Sequence, residues 1–332
     1  MSRAWDEADE HGTTHVVQQD GVTVFRTGLT VHQGDRFIDS LNDVWRIVKV
    51  EGRRAVALRV AKLTDRPAPQ ELARLRRGLP RAARALTGDR PVDVGLYHSH
   101  SDESYIPSDG VESAPDKGSI YQVGARFGAA LAEHGLSVIH RPDNHNPHDH
   151  GAYLRSRRTA VELIETAEPA ALFDIHRDAA PAEEYRMPQG ASRVMIVIGR
   201  SNPAYEANLT FARLLKAEAD TLSPGLVKGI FLGRGNYNQD LMPRNLILEV
   251  GSQNVRRQDA EAGAAILAGA VPRVLQTLEM PDSPARQTES IAASRSIAWL
   301  ILAVVLIGSA WMLLVHGGWR PALAHLRRLR RR

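Results

Sequence analysis

Short runs of alternating apolar and polar residues mark residues 22–60: VTVFRTG (22–28), DRFIDS (35–40), VWRIVKV (44–50) and RAVALRV (54–60), broken by Gly28, Gly34, Asn42-Asp43 and Glu51-Gly52. A period of two over such lengths predicts half-buried strands, so residues 1–61 are expected to hold a small β module of four or five strands. Further on, strand-length apolar runs alternate with helical-period segments. VDVGLY (92–97) is followed by a stretch in which Ile120, Val123, Phe127, Ala130 and Leu131 fall at helical spacing, with Gly135 placed for a C-terminal cap. LSVIH (136–140) follows, then a helix from Tyr153 to Glu168 that Pro169 stops. ALFDIH (171–176), RVMIVIG (193–199), GIFLG (229–233) and NLILEV (245–250) are four more strands, with helices near 204–221 and 257–278. Strands interleaved with helices predict an α/β domain over 91–280, its mixed or mainly parallel buried sheet flanked by helices.

The joints differ in composition. Residues 62–90 are rich in Arg, Pro and Ala and read as a basic linker, and 281–296 as a polar tether. IAWLILAVVLIGSAWMLLV (297–315) has no charge over nineteen positions, which predicts one transmembrane helix over 297–316. The tail 317–332 is basic. By the positive-inside rule the tail is expected in the cytoplasm, and the rest of a single-pass cell-membrane protein outside. The N-terminus has no apolar signal-peptide core, which leaves the export route open.

Composition narrows the chemistry. A hydrophobic share of 43% with 24% charged residues suits a packed core and excludes a disordered chain. The net charge is +4, but six arginines lie in the last thirteen residues, so the basic balance belongs to the tail and no nucleic-acid partner is implied. With 0 cysteines, any metal must be held by His, Asp and Glu.

Strand ends carry groups suited to that task. His98 and His100 follow VDVGLY two apart, Glu103 is three further on, and His176 ends ALFDIH between Asp174 and Asp178. Two imidazoles and a carboxylate with one open position form a catalytic zinc set, although a polar loop would read similarly. Glu249 interrupts the buried run NLILEV. It is either a structural ion-pair partner for an arginine such as Arg244 or a carboxylate whose pKa is raised by burial for proton transfer.

YHSHSDESY (97–105), DIHRD (174–178), NPAYEANLTFA (202–212), YNQDLMPR (237–244) and LILEVGS (246–252), in this order, closely resemble stage II sporulation protein P over residues 90–278. The resemblance implies that 91–280 is a catalytic domain of the zinc-dependent N-acetylmuramoyl-L-alanine amidase kind, with the β module before it outside the similarity. It implies Zn2+ held by His100, Glu103 and His176, with His98 as the alternative first ligand, and Glu249 as the catalytic carboxylate. It further implies septal wall remodelling and engulfment during sporulation, sporulation proteins D and M as associates and, in some members, cleavage of stem-peptide cross-links. Arg234 and Arg244 are candidates for the carboxylates of the peptidoglycan stem peptide, since guanidinium pairs with carboxylate in a fork. Two features depart from the family pattern: a loop carrying His145, His148 and His150, expected to be a solvated loop, and a membrane anchor after the domain where the family has one before it. The competing readings are another zinc amide hydrolase or carboxypeptidase, and a non-catalytic, membrane-tethered wall-binding protein.

Overall fold

The computed structural model describes residues 12–77, 93–149, 151–188 and 190–279. Five strands open the chain: β1 (Thr14–Val17), β2 (Thr23–Thr27), β3 (Arg36–Asp39), β4 (Asp43–Glu51) and β5 (Arg54–Lys62). Helix α1 (Pro69–Arg77) lies within the stretch read as a linker. Strand β6 (Val94–Tyr97), the short helix α2 (Ile106–Asp109), α3 (Ile120–Glu133), β7 (Val138–His140), α4 (Ala152–Ala167) and β8 (Ala171–Asp178) follow. The chain continues through β9 (Val194–Gly199), α5 (Tyr205–Leu222), β10 (Val227–Gly233), β11 (Asn245–Ser252), α6 (Arg257–Ala268) and α7 (Val271–Glu279).

All strands join one eleven-stranded sheet in the order β2-β1-β5-β4-β3-β10-β9-β11-β8-β6-β7. Strands β7, β6, β8 and β11 run parallel, β9 runs antiparallel to β11, and β10 parallel to β9. Strands β6, β8, β9, β10 and β11 are buried along almost their whole length, as strands covered by helices must be. A large core holds Leu96, Phe127, Phe173, Phe211 and Leu267, so α3, α5 and α6 share it with the sheet. A smaller cluster of Tyr97, Ala160, Leu163 and Leu172 seats α4. Alternation along the strand sends Leu96 to the first and its neighbour Tyr97 to the second.

Two expectations about the fold need correcting. The N-terminal strands do not stand apart: β3 pairs with β10 in antiparallel register, Phe37 opposite Phe231, so the module and the α/β sheet are one large mixed sheet. Phe25 stacks on Phe37 with ring centroids 4.1 Å apart, sealing the seam. At the other end of the module, a Cβ on Gly28 would come within 2.3 Å of the Ala179 side chain, so only glycine permits this approach. The described residues accordingly form one compact unit.

The second correction concerns the membrane. Among the described residues no helix is long and apolar enough to cross one. The longest, α5, has 18 residues but carries Glu206, Arg213, Lys216, Glu218 and Asp220. The expected span 297–316, with the tether 281–296 and the tail 317–332, lies outside the described residues. The single-pass placement is therefore not retained.

Candidate metal centre

The parallel strands β6, β8 and β11 end on the same side, where an open α/β sheet gathers its polar groups. After Tyr97 the chain turns instead of extending. Asp174 of β8 holds that turn: its Oδ1 accepts the Ser99 N–H at 2.8 Å and its Oδ2 the Ser99 hydroxyl at 2.5 Å. Gly118 supports it from outside, because a Cβ there would lie 2.4 Å from the backbone of Asp102 and Glu103. The turn parts the two histidines that extended geometry would have placed on one side. His98 points away, its Nδ1 bonding to the Ile175 carbonyl at 3.0 Å and its Nε2 2.8 Å from His140 Nε2.

His100, Glu103 and His176 come together: one donor atom from each lies within 4.8 Å of the others, and all three residues are buried. Glu103 Oε1 sits between the imidazoles, 3.2 Å from His100 Nδ1 and 3.4 Å from His176 Nδ1. Its Oε2 accepts the Arg177 N–H at 2.8 Å, which fixes the carboxylate. His176 Nε2 lies 2.9 Å from Asp174 Oδ1 but out of line for a hydrogen bond, and His100 Nε2 is buried without a partner. Donors around a tetrahedral ion with bonds of about 2.0–2.1 Å stand roughly 3.3–3.5 Å apart, so the two spacings to Glu103 and the donor types suit Zn2+.

The electrostatics agree with a cation site. Burial pushes His100 down to about 4, with His148 adding to the effect, which keeps it neutral as a ligand must be. Burial alone would raise Glu103, but His176 and His100 outweigh it and hold it well below the usual carboxylate range. Burial also works against charge on His176, yet Asp174 and Glu103 carry its pKa well above the ordinary value, so a bound cation would have to displace its proton and take over the favourable charge.

Glu249 stands beside His176 in the β11–β8 register. It is buried, its Oε2 has no hydrogen-bond partner, and burial drives its pKa well up. Arg244 precedes β11, about 16 Å back along the strand at roughly 3.3 Å per residue, and is fully buried there. Arg234 follows β10, which runs antiparallel to the β11 direction, so it too lies toward the start of β11 and is exposed. Neither arginine is brought to the cluster.

Of the three loop histidines, His150 lies outside the described residues. His145 is buried and fully engaged, its ring bonding to the His98 carbonyl at 2.7 Å and to Thr159 Oγ1 at 2.9 Å. His148 covers the His100 ring at a centroid distance of 3.7 Å, with Nδ1 3.1 Å from Asp102 Oδ1. His145 and His148 are thus packed against the site, while Pro142, Asn144, Pro147 and Asp149 of the same loop are exposed. Tyr153, at the start of α4, lies with its ring 5.4 Å from His100 and 6.3 Å from His176. Nothing in the sequence singles it out, whereas Asp174 was readable as a carboxylate two residues from His176 on the same strand face.

The chain matches the solved structure of N-acetylmuramoyl-L-alanine amidase AmiC2 of Nostoc punctiforme at 16% identity and a TM-score of 0.37, over 57% of this chain and 99% of that one. It also matches Ami1 from Mycobacterium smegmatis (15%, 0.39, 57% and 100%) and the CwlD amidase from Clostridioides difficile, solved with the GerS lipoprotein (12%, 0.39, 56% and 98%). Stage II sporulation protein P of Bacillus subtilis is 27% identical over 224 residues, 61% of this chain and 56% of the relative, so the chain spans little more than half of that protein's length. The family model for Stage II sporulation protein P matches residues 53–272, which takes in β5 and α1 as well as the α/β core. The chain belongs to the stage II sporulation protein P family.

Proposed function

We propose that this protein is a zinc-dependent peptidoglycan hydrolase that cleaves the amide between N-acetylmuramic acid and the first L-alanine of the stem peptide, in septal wall remodelling during sporulation. The observation that carries this reading is a buried His100–Glu103–His176 set with an unpartnered, pKa-raised Glu249 in register beside it. Bound Zn2+ would supply a Lewis acid that polarises the scissile carbonyl and acidifies a water. His100, Glu103 and His176 would hold it, and the Asp174 carboxylate, 2.9 Å from His176 Nε2, would orient that ring by its charge. Glu249 takes the proton of the attacking water and delivers it to the departing amine nitrogen. Burial raises its pKa, which favours keeping that proton until the nitrogen departs. A wall-binding protein without catalysis has no use for a lone carboxylate in this position, where it costs stability. In the sporulation setting, proteins D and M are the expected associates.

The test is elemental analysis of the purified chain, followed by digestion of purified peptidoglycan with mass spectrometry of the products. About one zinc per chain and free stem peptides, lost on chelation and in Glu249→Gln, are expected. Products cut within the stem peptide would point to another zinc amide hydrolase. Zinc-loaded protein that releases nothing would overturn the reading.

A further inference from the structure

Arg234 and Arg244 lie away from the cluster, but a third guanidinium stands at it. Arg177 follows His176 at the end of β8, and its backbone N–H donates to Glu103 Oε2 at 2.8 Å. Its side chain lies across the neck of the loop after Glu103, where the Ser104 N–H donates to the Glu112 carbonyl at 2.9 Å. Nε donates to the Ser104 carbonyl at 3.4 Å and Nη2 to the same Glu112 carbonyl at 3.0 Å. These two contacts occupy one lateral edge of the guanidinium and fix its plane.

No carboxylate answers its charge. Its side-chain partners among the described residues are the two carbonyls, which carry no charge. The acidic groups nearby are engaged elsewhere: Glu103 between His100 and His176, Asp102 with His148, and Asp109 with Arg257. Glu249 is held toward its neutral form by burial. The positive charge of Arg177 is nevertheless felt at Glu103, Glu249 and His148, so it belongs to the field of the site. Nη1 makes no hydrogen bond and is not sealed from solvent, which leaves the end of the fork open. A fully exposed arginine would merely be solvated, whereas this one is half-buried and tied at two points, so its open edge is preorganised.

A fixed guanidinium edge without a carboxylate of its own selects one from a ligand, gripping it through two parallel N–H···O bonds. In the stem peptide, the residue after the first L-alanine is a glutamate linked through its γ-carboxyl, so its α-carboxylate is free. One extended residue spans at most about 3.6 Å, and that carboxylate therefore enters the site together with the scissile amide. We propose that Arg177 anchors this α-carboxylate, positioning the stem peptide and setting a preference for substrate that is not amidated there. The proposal rests on the amidase reading for the identity of its ligand, and it can fail separately from it.

The test is calorimetry on the full-length zinc-loaded chain carrying Glu249→Gln, which binds without turnover. It compares N-acetylmuramoyl-L-alanyl-D-glutamate with the same compound bearing an α-carboxamide. The acid is expected to bind about ten- to a hundredfold more tightly, the effect of charge-assisted hydrogen bonding. Adding Arg177→Gln is expected to abolish the preference by weakening the acid alone, with zinc content unchanged because the backbone makes the contact to Glu103. Arg177→Lys, which keeps the charge but not the fork, is expected to fall between the two. Equal affinity for acid and amide, no binding of either, or an equal loss of both in Arg177→Gln would overturn the proposal, the last assigning Arg177 to holding the loop. If the preference depends on Arg177 while the chain with Glu249 intact releases no stem peptides from peptidoglycan, the carboxylate site stands and the amidase reading falls.

Discussion

His98 is expected to make the metal-free protein sensitive to acid in a way that a single substitution removes. The Ile175 carbonyl can only accept, so His98 Nδ1 carries a proton and donates to it. The Nε2 must then be the acceptor in the 2.8 Å contact with His140 Nε2, which donates. Adding a second proton to His98 sets it against that donor inside a fully buried pocket. Burial, followed by the His140 contact, accordingly pushes His98 down to about 3. The folded value lies below the unfolded one of about 6.5, so the contribution to stability is complete above pH 6.5 and is lost as pH falls from there toward 3. In that window the loss is up to about 1.4 kcal/mol per pH unit, or roughly 2–3 kcal/mol between pH 6 and pH 4. The variant His98→Gln retains hydrogen-bonding capacity but does not titrate. It is expected to be less stable than the parent at pH 7.5, by about 1–3 kcal/mol, and to lose less on acidification, so that the two curves converge. Urea unfolding of the chelator-treated full-length chain from pH 7.5 to pH 4 measures this. His100, Glu103 and His176 titrate in both proteins and drop out of the difference. Parallel curves would refute the reasoning.

Three further outcomes are expected. Asp174→Asn keeps the shape of the side chain that orients His176 but removes its charge, and zinc affinity measured against a chromophoric chelator should fall about 10- to 100-fold; an unchanged affinity would assign Asp174 to holding Ser99 alone. Glu249→Gln removes a buried carboxylate with an unpartnered oxygen, so the metal-free chain should gain about 1–3 kcal/mol near pH 8, read by urea unfolding, while hydrolysis is lost. Asp178→Ala strips the acceptor from Thr27 Oγ1, Gly28 N–H and Tyr185 OH, bonded to it at 3.0, 2.7 and 2.8 Å, and a neighbouring negative charge from the buried Lys228. It should cost about 3–5 kcal/mol and lower the thermal midpoint by roughly 10 °C or more, and a shift under about 2 °C would contradict this account of the seam.

What could be read before the structure was local. Apolar runs of strand length and the helical stripe of α3 depend on burial of neighbouring side chains, and those elements stand within a few residues of their expected ends. Gly135, with φ of 85°, closes α3 where a glycine was expected to. Strand ends, residue types and the family resemblance together made His100, Glu103 and His176 legible as candidates. Their separation from His98 was not, since it depends on a turn held by Asp174, a residue 75 positions away in the chain from Ser99. Arg234 and Arg244 were chosen for chemistry alone: Arg244 directly precedes β11 in the chain, and the antiparallel insertion of β9, invisible to any local pattern, sets Arg234 toward the same end.

The join between the N-terminal strands and the rest follows from the same limit, and it bears on the site. β3 and β10 both read as strands, but nothing short-range says that they pair; the pairing depends on Phe37 meeting Phe231 and on Gly28 closing against Ala179. Asp178 stands where that seam meets the metal centre, two residues beyond His176 on the same strand and bonded to Thr27 and Gly28 at the end of β2. A metal site tolerates little drift in its ligands, and a strand end left free is where drift is easiest. Through Thr27 and Gly28 the end of β2 fastens the end of β8, the strand that carries His176. The first five strands are therefore continuous with the sheet whose strand ends carry the cluster, not an appended module.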